Sequence, residues 1–332
     1  MPARAILFTK IIEFSITFAL YSKFARFKIM MKKIIKNLLK MYLPRNDHEA
    51  QKDYWDSQSS EWRYIAEPFR PSNRELKYYE NFLDTVNDKK RILLLGSTPE
   101  LRDLFARYYN ASKIYLCDFS WKMLEETTKE LRSADPEKEI WIKADWMDTS
   151  FPQSFFDIII GDLVFMQFPP DQTGSFLKKI SGLLSEGGIF IIRSRCRKES
   201  TKSAKGLIQD AINEYKDGDL NKAATSLLWE LYDVCTKNND TIIDKKRAAE
   251  EINEYTKEFG SEHPLLSLTL KKNQRTTKKD TFRWHWVFPF ENDLSNLFSE
   301  SFLIKNEKTI VSNHTSCYPI FFLEKRSGSQ FL

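Results

Sequence analysis

Only four cysteines occur in the 332 residues, Cys117, Cys196, Cys235 and Cys317, and no two of them form a CxxC pair. Their spacing gives no zinc framework and no disulfide lattice, so no metal site is expected and a reducing, cytoplasmic compartment is favoured. Long apolar runs are missing as well. From Ile6 to Phe27 apolar residues dominate, but Lys10, Glu13, Lys23 and Arg26 interrupt them. The longest uncharged stretch there, Phe14 to Ser22, falls far short of the ~20 residues a spanning helix needs. The same charges, with no clear small-residue cleavage site, argue against a secretory leader. Residues 1–45 read instead as an amphipathic helical extension with three uses. It lies on a membrane surface, packs on the protein's own core, or precedes a true start at Met30-Met31. The last two are preferred. Absent too is the GxGxxG turn of dinucleotide sites, which argues against NAD or FAD. The net charge of +5 permits an anionic partner without demanding one.

What is present begins at Arg91. Arg91 to Gly96 is a short apolar run ended by glycine, which reads as a buried parallel strand. Helical spacing follows over Leu101 to Tyr109, then a strand over Lys113 to Cys117 and a helix over Trp121 to Leu131. Further strands are expected at Glu139 to Lys143, Phe156 to Gly161 and, after a helix at Phe176 to Leu184 and a Glu186-Gly-Gly turn, Ile189 to Ile192. Strands alternating with helices specify a doubly wound α/β sheet of Rossmann-like form. Residues 200–260 are helical throughout, with Leu207, Ile208, Ala211, Ile212 and Tyr215 on one face. Phe302 to Val311 and Tyr318 to Glu324 form a hairpin. The expected organisation is an extension at 1–45, a sheet domain at 46–196 and 281–325, and a helical insertion at 197–280, placed to cap the carboxyl ends of the strands or simply to buttress them.

Four strand ends carry polar residues. The first turn is Gly96-Ser97-Thr98-Pro99-Glu100, where Ser97 or Thr98 caps the next helix and Glu100 completes a capping box. Asp118 ends the second strand 118 − 96 = 22 residues after Gly96, a spacing at which a carboxylate accepts ribose hydroxyls. Asp145-Trp146 follows the third strand and offers an acceptor for an adenine amino group and a stacking face. Gly161-Asp162 closes the fourth strand. Each acid alone reads as a solvated loop residue or a helix cap. Their recurrence at successive strand ends favours a ligand site.

The stretches Leu94 to Leu101, Cys117 to Met123, Ala144 to Trp146, Phe156 to Asp162 and Leu184 to Gly188 resemble the class I S-adenosylmethionine-dependent methyltransferases. The resemblance is to a branch whose first motif reads Gly-x-Thr-Pro-Glu-Leu. It runs from about Tyr54 to Arg195 and resumes weakly from Trp284 to Lys325; Tyr54-Trp55 and Phe69-Arg-Pro-Ser72 resemble the leading segment that borders the cofactor in that branch. It implies a seven-stranded sheet and S-adenosylmethionine as cofactor. It also implies site roles: Gly96, Ser97 and Thr98 along the methionine part, Asp118, Phe119 and Ser120 about the ribose, Asp145 and Trp146 about the adenine, Gly161 and Asp162 on the sulfonium side. The single glycine of the first motif, where the family usually has several, leaves room for a binding protein without turnover.

The acceptor is not legible. No Asn-Pro-Pro-Tyr follows the fourth strand, which speaks against nucleobase methylation, and a small-molecule acceptor is expected. A lipid or quinone acceptor belongs to the membrane-surface alternative. The segment Phe282 to Phe290 places Phe282, Trp284, Trp286 and Phe288 on one side and Arg283, His285 and Val287 on the other. It reads first as packing and second as an acceptor surface with His285 as base. The basic runs Arg193 to Lys205 and Lys271 to Lys279 read as solvated, with no nucleic-acid-binding module beside them. No oligomeric state and no catalytic residue follow from the sequence.

Overall fold

The computed structural model describes residues 47–65, 67–85, 91–108, 113–167, 169–216, 218–237, 243–260, 263–278 and 288–326. The N-terminal extension up to residue 46 and most of the Phe282 to Phe290 segment, His285 included, lie outside them.

The leading helices are α1 (Asp47–Gln58) and α2 (Asn73–Leu83). Ser72 caps α2 with a full capping box: its hydroxyl accepts from Glu75 N, and Glu75 accepts from Ser72 N. The alternating region follows as β1 (Arg91–Leu95), α3 (Pro99–Tyr108), β2 (Lys113–Asp118), α4 (Trp121–Thr128), β3 (Glu139–Lys143), β4 (Phe156–Asp162), α5 (Thr173–Leu183) and β5 (Leu184–Arg193). Then come β6 (Cys196–Arg197), four helices α6 (Ala204–Glu214), α7 (Leu220–Cys235), α8 (Lys245–Phe259) and α9 (Pro264–Lys278), and finally α10 (Glu291–Ser299), β7 (Phe302–Ser312) and β8 (Ser316–Lys325).

β1 to β5 are parallel in the order β3-β2-β1-β4-β5, and β8 runs antiparallel beside β5 with β7 on its other edge. β6 is not an eighth position. Arg193 pairs with Ile320 and Cys196 with Cys317, so the residue sum is 513 in both cases. β6 therefore prolongs β5 along β8 in an unbroken register, and the sheet has the seven positions the sequence implies. The Glu186-Gly-Gly turn is absorbed into β5 as an irregularity, with Phe156 opposite Leu184 and Ile158 opposite Ile189. Gly187 supplies a φ of +63° there, a conformation that favours glycine.

Side-chain alternation divides the buried residues between two faces. Leu93, Leu95, Ile159, Phe190, Ile192 and Phe321 pack with Phe176 of α5 and Phe298 of α10. Ile92, Leu94, Ile158, Ile160, Ile191 and Phe322 pack with Tyr79 of α2, Leu104 of α3 and Leu124 of α4. The helical insertion has its own core, which joins Ile208, Leu227, Leu231, Ile252 and Leu265 to Leu163 and Met166 after β4 and to Tyr318 at the start of β8. Leu163 and Met166 follow the carboxyl end of β4 and Tyr318 pairs beyond that of β5, so the insertion packs on that side of the sheet. Among the described residues no helix is long and apolar enough to cross a membrane.

Candidate functional site

Glycine makes the first turn possible. Gly96 has a φ of +94°, and a Cβ added there would meet Trp146 Cζ2 at 3.8 Å, so conformation rather than space requires glycine. The Cys117 carbonyl accepts from Gly96 N at 2.8 Å and from Trp146 Nε1 at 2.7 Å. One oxygen thus ties the ends of β1, β2 and β3 together. Ser97 and Thr98 are buried in the turn. Thr98 O accepts from Arg102 N as α3 starts.

Glu100 does not complete the expected capping box. Its Oε1 accepts from Arg70 Nε at 2.7 Å and pairs with Nη2 at 2.6 Å, while its Oε2 is buried with no hydrogen-bond partner. Arg70 also reaches Glu130 at 2.7 Å and lies over the Trp62 ring. A guanidinium with two carboxylates is a stronger partner than a single backbone N–H.

Asp118 is buried at the end of β2. Its Oδ1 accepts from Ser120 N at 2.8 Å. Burial pushes its carboxyl up to about 7; the Ser120 amide opposes this, the nearby Asp56 carboxylate adds to it, and the Ser97 hydroxyl opposes it. Ser120 is buried too, and its hydroxyl donates to Asp56 Oδ1 at 2.6 Å while capping α4 through Met123 N. Phe119 beside them is half-buried. Asp145 is half-buried and accepts from Met147 N at 2.8 Å, so one of its oxygens closes its own turn. Trp146 is buried with its indole N–H spent on Cys117.

At the end of β4, Gly161 packs where a Cβ would fall 2.3 Å from Val164 Cγ2 and 3.2 Å from Ile192 Cδ1. Asp162 Oδ1 accepts from Arg193 Nε at 2.6 Å, and Arg193 Nη1 donates to Glu75 Oε1 at 3.2 Å and to Pro68 O at 2.9 Å. All three ionic side chains are essentially inaccessible. Burial raises the Asp162 carboxyl, and the Arg193 guanidinium opposes that rise. Burial works against the charge on Arg193, but Asp162 and Glu75 outweigh it and keep the guanidinium protonated.

The leading segment crosses this floor. Gln167, after β4, accepts at Oε1 from Gln51 Nε2 at 3.1 Å and from Trp55 Nε1 at 3.0 Å. With the Asp56–Ser120 bond, α1 is pinned to the ends of both β2 and β4. Asp56, Glu75 and Gln167 were not singled out by sequence reasoning, and Arg193 read only as the start of a solvated run; Tyr54-Trp55 and Phe69 to Ser72, which contains Arg70, were the signal that pointed near them.

The basic run is corrected. Arg193, Arg195 and Arg197 are buried rather than solvated. They alternate on one face of the β5–β6 strand. Arg195 is bidentate with Asp233 of α7, at 3.0 and 2.5 Å, and lies under Phe288 at 4.4 Å and Trp229 at 5.2 Å. Thr315 Oγ1 donates to the same carboxylate at 2.7 Å. Phe288, the described member of the aromatic stripe, is therefore packing. Among the described residues no group of three or more His, Cys, Asp or Glu can hold a metal ion.

Residues 96–188 match the family described as "Methyltransferase domain". No curated protein matches the sequence. Among solved structures, one from Rhodobacter sphaeroides, named a candidate Zn-dependent alcohol dehydrogenase, is 14% identical with a TM-score of 0.50, covering 84% of this chain and 98% of its own. At that identity it shows the fold alone. The N-methyltransferase NodS of Bradyrhizobium japonicum WM9, in complex with S-adenosyl-l-homocysteine, is 9% identical with a TM-score of 0.47, covering 85% and 100%. The 1,6-didemethyltoxoflavin-N1-methyltransferase of Burkholderia thailandensis is 10% identical with a TM-score of 0.47, covering 86% and 91%. Residues 96–188, which hold the Gly96 turn, Asp118, Asp145 and Gly161-Asp162, are thus the part of the chain that resembles a methyltransferase domain.

Proposed function

We propose that the chain binds S-adenosylmethionine across the carboxyl ends of β1 to β4 and transfers its methyl group to a small-molecule acceptor beneath the helical insertion. The observation that carries this reading is Asp118, a buried carboxylate beside the Gly96 turn whose protein donors leave acceptor capacity to spare. Ribose hydroxyls are donors of the right kind. Glu100 Oε2, buried without a partner near the same turn, fits an ammonium such as that of the methionine part. Gly96, Ser97 and Thr98 line the methionine part, Phe119 and Ser120 flank the ribose, and Asp145 and Trp146 border the adenine.

Gly161 and Asp162 form the floor on the sulfonium side. Because Arg193 neutralises Asp162 locally, that carboxylate shapes the floor more than it attracts a cation. The cofactor, when bound, supplies an electrophilic methyl group. The chain's part is to orient an acceptor in line with it and to exclude water, and positioning of this kind supplies much of a rate by itself. Residues 197–280 act as the cap, supported by the shared packing of the insertion with Leu163, Met166 and Phe69.

Native mass spectrometry of the full chain with S-adenosylhomocysteine tests the reading. A one-to-one complex that Asp118→Ala abolishes or weakens supports it. Folded wild type that captures no ligand overturns it.

A further inference from the structure

We propose that Cys196 and Cys317 are a redox pair that closes reversibly into a disulfide, with a small aliphatic disulfide such as glutathione disulfide as the oxidant. The sequence separates them by 317 − 196 = 121 positions, but the prolongation of β5 by β6 sets them opposite each other on β8. Ser194 N donates to Pro319 O at 3.0 Å and Lys198 N to Thr315 O at 2.7 Å. Alternation along the ladder makes the pair midway between them a hydrogen-bonded one, in which α-carbons typically stand about 5.5 Å apart. That lies inside the span of about 4.4–6.8 Å that disulfides bridge.

Both side chains are buried in the cluster of Leu294, Phe298 and Phe321, and the paired register sets the two thiols side by side. The neighbouring Cys317 thiol, then burial, holds the Cys196 thiol well above its ordinary value. Exchange therefore needs a proton acceptor, and one is at hand: Glu291 Oε2 lies 3.6 Å from Cys317 Sγ. The other two cysteines have no such counterpart, since Cys117 meets a backbone carbonyl and Cys235 lies on α7.

The chemistry balances without any further reagent. Cys317 passes its proton to Glu291 as its sulfur attacks the small disulfide, whose sulfur–sulfur bond breaks. One small thiolate leaves and takes up that proton. Cys196 sulfur then attacks Cys317 sulfur, expelling the second small thiolate, which takes the Cys196 proton. Two protein thiols have lost two electrons and one small disulfide has become two thiols.

Closure would fasten β6 to β8 beside Arg195 and Thr315, the two residues that hold Asp233 of the insertion. It would also close a long loop, the kind of cross-link that constrains the unfolded chain most. The test equilibrates the full chain in glutathione buffers of graded ratio, then alkylates and maps peptides. It is run on folded protein and again during refolding from denaturant, so that access to buried thiols does not decide the result. The expected product is an intramolecular Cys196–Cys317 peptide pair, reversed by excess thiol, with a higher Tm for the oxidised chain and none of this in Cys196→Ser or Cys317→Ser. Four alkylated cysteines at every ratio in both arms, or glutathione adducts without the cross-link, would overturn the proposal.

Discussion

Asp162 and Arg193 meet across the ends of β4 and β5, Oδ1 to Nε at 2.6 Å, and Glu75 of α2 closes on the same guanidinium from the other side at 3.2 Å. One buried cation thus joins two strands of the floor to the leading segment through the Ser72–Glu75 capping box. Removing it leaves two buried carboxylates without their counter-charge. Arg193→Leu is expected to cost about 3–5 kcal/mol in urea unfolding. Arg193→Lys should recover only part of that, because an ammonium cannot reproduce the forked geometry. A loss below about 1 kcal/mol for Arg193→Leu would contradict this account.

Asp118 should trade stability for binding. With its carboxyl raised to about 7 in the fold against about 3.9 in the unfolded chain, the stability it contributes is present at low pH and lost as pH rises towards about 7. Asp118→Asn removes that loss, so Tm at pH 8 should rise, on the order of 2–4 °C for each kcal/mol recovered. Its affinity for S-adenosylmethionine should fall. In wild type, hydroxyl donors need the ionised carboxylate, so affinity should weaken as pH drops below about 7, by up to about tenfold per pH unit. Calorimetric stability scans and binding isotherms across pH check both signs.

Glu230 of the insertion follows the same rule without any part in the site. Burial, then Asp233 and Glu214, push its carboxyl up to about 7. Glu230→Gln should therefore raise Tm above pH 7 and leave S-adenosylmethionine affinity unchanged. A fall in Tm would show that its charge is compensated.

The insertion is held by Asp233. Asp233→Ala leaves the Arg195 guanidinium buried with its carboxylate partner gone, and a cost of about 3–5 kcal/mol is expected. Faster hydrogen exchange and proteolysis should concentrate in α6 to α9. Loosening spread evenly over the sheet would argue that the insertion is anchored elsewhere.

Gly161 marks a close approach. Gly161→Ala places a methyl group 2.3 Å from Val164 Cγ2, and overpacking of this kind costs about 1–3 kcal/mol. Val164→Ala in the same chain should restore part of the loss, which a double-mutant cycle in urea would read. Additive losses would place the strain elsewhere.

The elements of the sheet were legible because each is local. Leu93 to Leu95 and Ile158 to Ile160 announce buried parallel strands, and glycine at 96 announces the turn. Asp118 and Gly161-Asp162 could be singled out because they sit at predictable offsets from those strands. What escaped is what depends on pairing across the chain. Arg193, Arg195 and Arg197 read as part of a solvated basic run, although their spacing of two already matches one face of a strand. The acidic partners of Arg193 and Arg195, namely Asp162, Glu75 and Asp233, come from three different elements, so those charges cancel only after folding. Glu100 read as a cap because Arg70 lies 30 positions away and enters through a loop. Asp56 likewise reaches Ser120 from 64 positions off.

The central claim is that S-adenosylmethionine binds at the carboxyl ends of the strands with Asp118 among its acceptors. Calorimetric titration of S-adenosylmethionine into wild type and Asp118→Ala tests it most directly. The account predicts saturable one-to-one binding that Asp118→Ala weakens by about 1–3 kcal/mol. Folded wild type that takes up no ligand, or an Asp118→Ala variant that binds as tightly, would contradict it.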